Sequence, residues 1–250
     1  MKLKLFNRVV NFGAGALCAF NLTPVALAQD TFATVSGIVR YEGGVPRRDI
    51  PDNEGKYRPR LDVDRGGGLG NAVVYLDPIG DVVLSRGTAT DKPVEITQDN
   101  GEFVPRVVAV RSGQRIAVTN SEPANHNVRS VTVVGENQFN VMTAFDDAYE
   151  HVIQPERLGR PIQLLCDIHP WMIGWIFVCD HDLFAVSDAN GQFAMKNVPQ
   201  GKYMLRVQQP HGALKAAGNV SIASSDKNTA AVIFGEKDLG AKEPVAIKIE

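Results

Sequence analysis

Residues 166–174 read Cys166-Asp-Ile-His169-Pro-Trp-Met172-Ile-Gly174. A thiol, an imidazole and a thioether recur here at every third position, on a loop between two apolar runs, 161–166 and 174–179 (GWIFVC). Thiolate and thioether are soft donors that suit Cu(I), and imidazole also accepts Cu(II), so the set points to a copper ion cycling between the two. A trigonal plane of two histidines and a cysteine, with a weak axial methionine, needs a second histidine from an earlier strand end. His126 is the candidate. In Asn120-Ser-Glu-Pro-Ala-Asn-His126-Asn127-Val128 it follows a strand and a polar turn, and a strand-like run begins just after it.

Short β-branched or alternating runs fill most of the remaining chain: 34–41, 72–76, 93–97, 106–111, 114–119, 127–134, 202–207 and 230–234. Gly, Pro, Asn and Asp punctuate them, as at Gly113, Asn120, Gly135, Asn190-Gly191 and Pro199-Gln-Gly201. Regularly spaced short strands with turn residues between them predict an all-β sandwich or barrel. No segment sustains a helical period, and the best candidates for a short helix are 143–150 and 155–159.

The pattern Phe103-x-Pro105, Gly113-x-x-Ile116-x-Val118-x-Asn120, His126-Asn127-Val128 and Cys166-x-x-His169-x-x-Met172-x-Gly174 resembles the cupredoxins. The spacings around His169, and Pro170 after it, are most similar to the amicyanin branch of that family, and the likeness covers residues 93–180. It implies a Greek-key β-sandwich holding one type 1 copper ion. His126, Cys166 and His169 would be equatorial ligands, Met172 the axial one, and Asn127 a brace behind the ligand loop. It also implies that electrons pass through His169, ringed by Pro170 and Trp171 as an apolar docking patch. Phe103, Ile116, Val118, Ile176 and Val178 are expected in the sandwich core.

The competing use of Cys166 is a disulfide with Cys179. Cys179 lies five residues past Gly174, which at ~3.3 Å per residue places it ~16 Å away. That exceeds the Cα separation of ~7 Å that a disulfide tolerates. His151, His181 and His211 lack ligand-like companions and read as ordinary histidines. Met142 has no supporting spacing and is expected in the core.

A second stretch, Phe184-Ala-Val-Ser187-Asp188-Ala-Asn-Gly191-Gln-Phe193 followed by Val198-Pro199-Gln-Gly201-Lys-Tyr203-Met-Leu205-Arg-Val207, resembles the carboxypeptidase regulatory-like domain. That family implies a small prealbumin-like β-sandwich, whose first two strands match Gly37-Ile38-Val39 and Leu69-Gly-Asn-Ala72-Val-Val74-Tyr-Leu76 far upstream. The expected organisation is therefore 31–80 plus 183–235 as one discontinuous module, with the cupredoxin, 93–180, inserted and Trp175 and Phe177 packed against it. Residues 43–70 are polar and rich in Gly, Pro and Arg, and read as a solvated insertion. A basic docking surface built from Arg47, Arg48, Lys56, Arg58 and Arg60 is the other reading, weakened by the neighbouring acids Asp49, Asp52, Glu54, Asp62 and Asp64.

At the start of the chain, Lys2, Lys4 and Arg8 precede an apolar stretch, Val9–Leu22, and Ala26-Leu27-Ala28 offers small residues before Gln29. That order is a secretory signal peptide over 1–28, so the protein is expected in the periplasm or secreted, with no stable membrane insertion. Removing its three positive charges takes the formal charge from −2 to −5, and an acidic chain is not a nucleic-acid binder by electrostatics. Five histidines without a His-x-His pair do not furnish an oxygen-reducing copper cluster. No nucleophile turn or phosphate-cradling glycine loop occurs either, so the expectation is not an enzyme. The expected role is single-electron transfer with a redox protein such as a c-type cytochrome or a periplasmic dehydrogenase. The alternatives are a copper carrier or sensor, or a binding module with an idle metal site.

Overall fold

The structure is a computed structural model that describes residues 32–82, 84, 90–157, 159–223 and 228–249. The expected signal peptide lies outside the described residues. The chain is all-β. Its first strands are β1 (Phe32–Glu42), β2 (Val73–Ile79), β3 (Val94–Asp99), β4 (Glu102–Val104), β5 (Val107–Arg111) and β6 (Arg115–Asn120). Next come β7 (His126–Val131), β8 (Asn140–Thr143), β9 (Ala148–Val152), β10 (Ile162–Leu165), β11 (Ile173–Cys179) and β12 (Phe184–Val186). The last are β13 (Gln192–Pro199), β14 (Gly201–Gln209), β15 (Leu214–Ile222), β16 (Asn228–Gly235), β17 (Val245–Ala246) and β18 (Lys248–Ile249).

These strands make two sandwiches. In the first, the sheet β4-β3-β6-β9 faces β5-β11-β10-β7-β8 across a core that holds Phe103, Ile116, Val118, Val128, Ile176 and Val178, the five expected core residues among them. In the second, β13-β1-β16-β18 faces β12-β2-β14-β15-β17 across Val39, Val74, Leu76, Phe193, Leu205 and Phe234. The chain leaves the second sandwich after β2, builds the whole first sandwich, and re-enters the second at β12.

Alternation along the strands explains why the sandwiches adhere. In β2, Val74 and Leu76 point into the second core, so Val73 and Tyr75 point out of it. In β11, Ile176 and Val178 enter the first core, so Trp175 and Phe177 face outward. These outward residues meet: Val73, Tyr75, Val107 and Phe177 form a third buried cluster, flanked by Ala109, Trp175, Phe184 and Val186. Both β2 and β11 thus read as nearly unbroken apolar runs because both of their faces are covered. At the edge of this seam Arg106 bonds the Asp62 carboxylate (2.7 Å) and the Arg60 carbonyl (3.2 Å), while Arg60 bonds the His211 carbonyl (2.6 Å). His211 is buried there, and its pKa is pushed well below the ordinary value by burial first and then by Arg106, Arg48 and Arg60.

Several expectations are corrected. Neither short helix forms among the described residues. Residues 148–152 pair antiparallel with β6 and close the edge of its sheet, and the described helical segments are single 3₁₀ turns. Met142 is not in the core but 57% exposed, because edge strand β8 turns it outward and buries Thr143 instead. Residues 43–70 are a solvated insertion only in part, since most of 43–60 is exposed but the end of the segment is packed. Leu61 and Leu69 are buried in the second core, and 46–60 fold back as a hairpin joined by Arg48 N to Arg58 O and Arg60 N to Pro46 O. Nor do its arginines form a free basic surface. Arg48 and Arg58 both bond the Glu102 carboxylate, and Arg58 also pairs with Asp52. Burial alone would raise Glu102, but the surrounding guanidiniums hold its carboxyl below the usual range.

Phe177 is 2% exposed at the seam. Phe177→Ala is expected to destabilise the protein by about 3 kcal/mol or more, read by denaturant unfolding. A loss below about 0.5 kcal/mol, the range of surface substitutions, would mean the sandwiches do not rest on this contact.

Candidate metal centre

The site forms where β7 begins and β10 ends. These strands pair antiparallel, with Leu165 opposite Arg129, so Cys166, one residue past the strand, comes beside His126 and Asn127. A tight turn follows, in which the Met172 amide donates to the His169 carbonyl (2.9 Å), and β11 then carries the chain away. Cys166 and Met172 are buried in the first core, with exposures of 2% and 0%. His126 is 1% exposed, and His169 is half-buried.

Among the described residues, His126, Cys166 and His169 form a cluster able to hold a metal ion. Cys166 Sγ lies 3.8 Å from Nδ1 of each histidine, and the two Nδ1 atoms are 2.9 Å apart. A circle through three atoms at those separations has a radius of about 2.1 Å. Metal–imidazole bonds are ~2.0–2.1 Å and metal–thiolate bonds ~2.3 Å for zinc. The donor triangle is thus the size a transition-metal ion requires. The disulfide alternative is not realised, since Cys166 and Cys179 are both free and buried. Burial, followed by Asp180 and Asp77, pushes Cys179 up to about 12, which keeps it a thiol.

The ring of His126 is oriented by Glu122, whose Oε2 lies 2.9 Å from His126 Nε2. A carboxylate there needs a donor, so Nε2 carries the proton and Nδ1 presents its lone pair to Cys166 and His169. Glu122 is itself held, its Oε1 accepting from the Gly101 amide at 2.5 Å and its amide donating to Asn120 Oδ1 at 2.8 Å. Asn120 Nδ2 donates to the carbonyls of Ala124 (2.8 Å) and Thr143 (3.0 Å), which shapes the 120–126 turn. Burial first, and then the His126 imidazole, lower the pKa of His169, which favours the neutral ligand form.

Asn127 ties the two ligand segments together. Its Oδ1 accepts from the Asp167 amide (2.7 Å) and lies 3.4 Å from Cys166 Sγ, while its Nδ2 donates to Asp167 Oδ2 (2.9 Å) and Asn140 Oδ1 (2.8 Å). Arg129 Nε donates to Asp167 Oδ1 at 2.7 Å. Buried Gln98 donates to the Asn127 carbonyl (3.1 Å) and accepts from Thr143 Oγ1 (2.5 Å), linking the facing sheet to the ligand strand.

Pro170 is exposed. Trp171 stands beside His169 with ring centroids 5.1 Å apart, but it is half-buried and its carbonyl accepts from Arg48 of the hairpin (3.2 Å). His126, His169 and Trp171 border a polar cavity of about 550 Å³ whose other walls include Asp52, Tyr57, Arg58 and Glu122. His151, His181 and His211 lie elsewhere and do not join the cluster. Glu122, Asp167 and Gln98 were not legible as site residues. Glu122 alone left a trace, four residues before His126, and an acid in a turn has many ordinary explanations.

No protein-family model matches the chain, and no curated protein matches it. Parts of the chain are similar to solved cupredoxins. A purple cupredoxin from Nitrosopumilus maritimus is 25% identical, with 34% of this chain and 99% of that chain covered and a TM-score of 0.30. An oxidised single-site variant of amicyanin is 17% identical over 44% of this chain and 99% of that chain, with a TM-score of 0.31. A Cu-containing nitrite reductase from Thermus scotoductus SA-01 is 19% identical over 39% of this chain, with a TM-score of 0.33, and only 25% of the reductase is covered.

The Glu122 contact carries a measurable consequence. Groups that orient a ligating histidine typically contribute 10–100-fold to metal affinity. Glu122→Gln is therefore expected to weaken Cu(I) binding by about tenfold or more in competition with bicinchoninate. Unchanged affinity would show that the carboxylate does not orient His126.

Proposed function

We propose that the protein is a type 1 copper protein that transfers single electrons in an extracytoplasmic compartment. The observation that carries this reading is the convergence of Cys166 Sγ and two imidazole Nδ1 atoms around a point about 2.1 Å from each. Met172 is buried in the same core, where it would serve as the axial donor. Copper would supply the one-electron Cu(I)/Cu(II) couple. The protein's residues supply the constraint: Asn127 fixes the ligand loop, Glu122 fixes the His126 ring, and the core shields Cys166 from water. Ligands held this way move little between oxidation states, and His169, being partly exposed, is the port for electrons. Among the described residues no helix is long and apolar enough to cross a membrane. A c-type cytochrome or a periplasmic dehydrogenase fits as partner, with the second sandwich acting as a regulatory-like scaffold.

Burial weighs against a copper carrier, because handing over metal requires ligands that can be reached in turn. Cys166, His126 and Met172 are each 2% exposed or less. The cavity beneath the hairpin favours one variation, in which the partner at His169 is a small polar redox molecule instead of a protein. Filling it with Ala124→Phe would then slow oxidation by ferricyanide without altering the copper spectrum. An unchanged rate would remove that variation.

Addition of one equivalent of Cu(II) is expected to produce an intense thiolate-to-copper visible band, bleached by ascorbate and absent in Cys166→Ala. A colourless product, or a band that survives the substitution, would contradict the proposal.

A further inference from the structure

A second concave region lies at the junction of the sandwiches, and none of the copper-ligand candidates lines it. It consists of two adjoining cavities that share Gly159, Arg160, Gln208 and Lys215. One, of about 440 Å³, is walled mainly by apolar groups, including Val131, Val133, Pro161, Trp175, Pro210 and Leu214. The other, of about 410 Å³, gathers four cations: Arg157 and Arg160 from the loop before β10, and Arg206 and Lys215 from β14 and β15. Two acids border the pair. Asp77 is taken by Arg206 at 2.5 Å, and Glu156 is engaged by Thr132 and Asn137. Arg157, Arg160 and Lys215 have no carboxylate within ion-pair distance among the described residues, in a chain whose net charge is negative.

The floor of the cationic cavity is built rather than open. Tyr75 is 2% exposed, and its hydroxyl accepts from Gln208 Nε2 at 2.9 Å, which leaves its own proton to donate. Burial, then Asp77, pushes Tyr75 up to about 12, so the proton stays. Gly159 has φ of +79°, and a Cβ there would lie 2.9 Å from Gln208 Nε2 and 3.1 Å from the Tyr75 hydroxyl. Glycine lets the loop backbone sit directly on this pair, so that residues of both sandwiches surround the same space.

We propose that this junction binds a small amphipathic organic anion, with an apolar body against Trp175 and a carboxylate or sulfonate group at Arg160, Lys215 and the Tyr75 hydroxyl. The volumes match those of small-molecule sites, which are mostly apolar with a few convergent polar groups and occur preferentially between domains. Charge-assisted hydrogen bonds supply the preference for an anion.

Two fluorescent probes with the same apolar body separate the contributions. 1-Anilinonaphthalene-8-sulfonate carries a negative group, and N-phenyl-1-naphthylamine does not. The sulfonate is expected to bind at one site per chain, to bind more tightly than the neutral probe, and to weaken with added salt. In the Arg160→Gln/Lys215→Gln double variant its affinity should fall about tenfold or more, while the neutral probe is unaffected. Val131→Asp should weaken both probes, with circular dichroism showing each variant folded. Equal binding of the two probes, indifference to the double substitution, or no saturable binding would each overturn the proposal.

Discussion

Asn127 holds together two segments that would otherwise be independent. His126 belongs to β7 and Cys166 follows the end of β10, and the pairing of those strands brings them only into the same neighbourhood. The side chain of Asn127 accepts from the backbone of the residue after the cysteine and donates to that residue's carboxylate. Arg129 and Asn140 bond the same carboxylate, and Gln98 reaches Asn127 from the facing sheet. Gln98 and Asn127 are buried, which is tolerable because their polar groups find partners, while Asp167 and Asn140 lie at the exposed rim. The result is a hydrogen-bonded frame around the soft donors, which is the property the proposed one-electron site needs.

The two sandwiches extend that rigidity. Strand β11 begins immediately after Met172, and its outward side chains are the ones that pack against β2. The ligand loop and the face that packs on the second sandwich are therefore joined by a single short strand. The hairpin at 46–60 makes a second link, with Arg48 and Arg58 both on Glu102 and Arg48 also on the Trp171 carbonyl. The site is consequently framed by segments from both halves of the chain.

What could be read from sequence follows from how local each signal is. Cys166, His169 and Met172 share one loop, so their spacing survives without knowledge of the fold, and His126 is recognisable as the first residue of a strand after a polar turn. The all-β class follows from the repeated short strands. Asp167 and Gln98 were hidden because each acts through Asn127, which only the fold brings close, and Glu122 because an acid four residues before a histidine in a turn has many ordinary explanations. In the segment 43–70 the packed leucines and the paired Arg48 and Arg58 were missed for a related reason. An arginine facing water and one bonding a carboxylate on another strand look alike in composition. Met142 shows the limit of alternation, since on a short edge strand nothing in the sequence says which face is covered.

X-ray absorption at the copper edge, on the loaded protein in both oxidation states, tests the central claim most directly. The account predicts one thiolate sulfur and two imidazole nitrogens at bonding distance in each state, with the same ligand set retained on oxidation, as a trigonal two-histidine, one-cysteine site implies. Coordination without sulfur, or a switch to a tetragonal nitrogen and oxygen shell on oxidation, would contradict it.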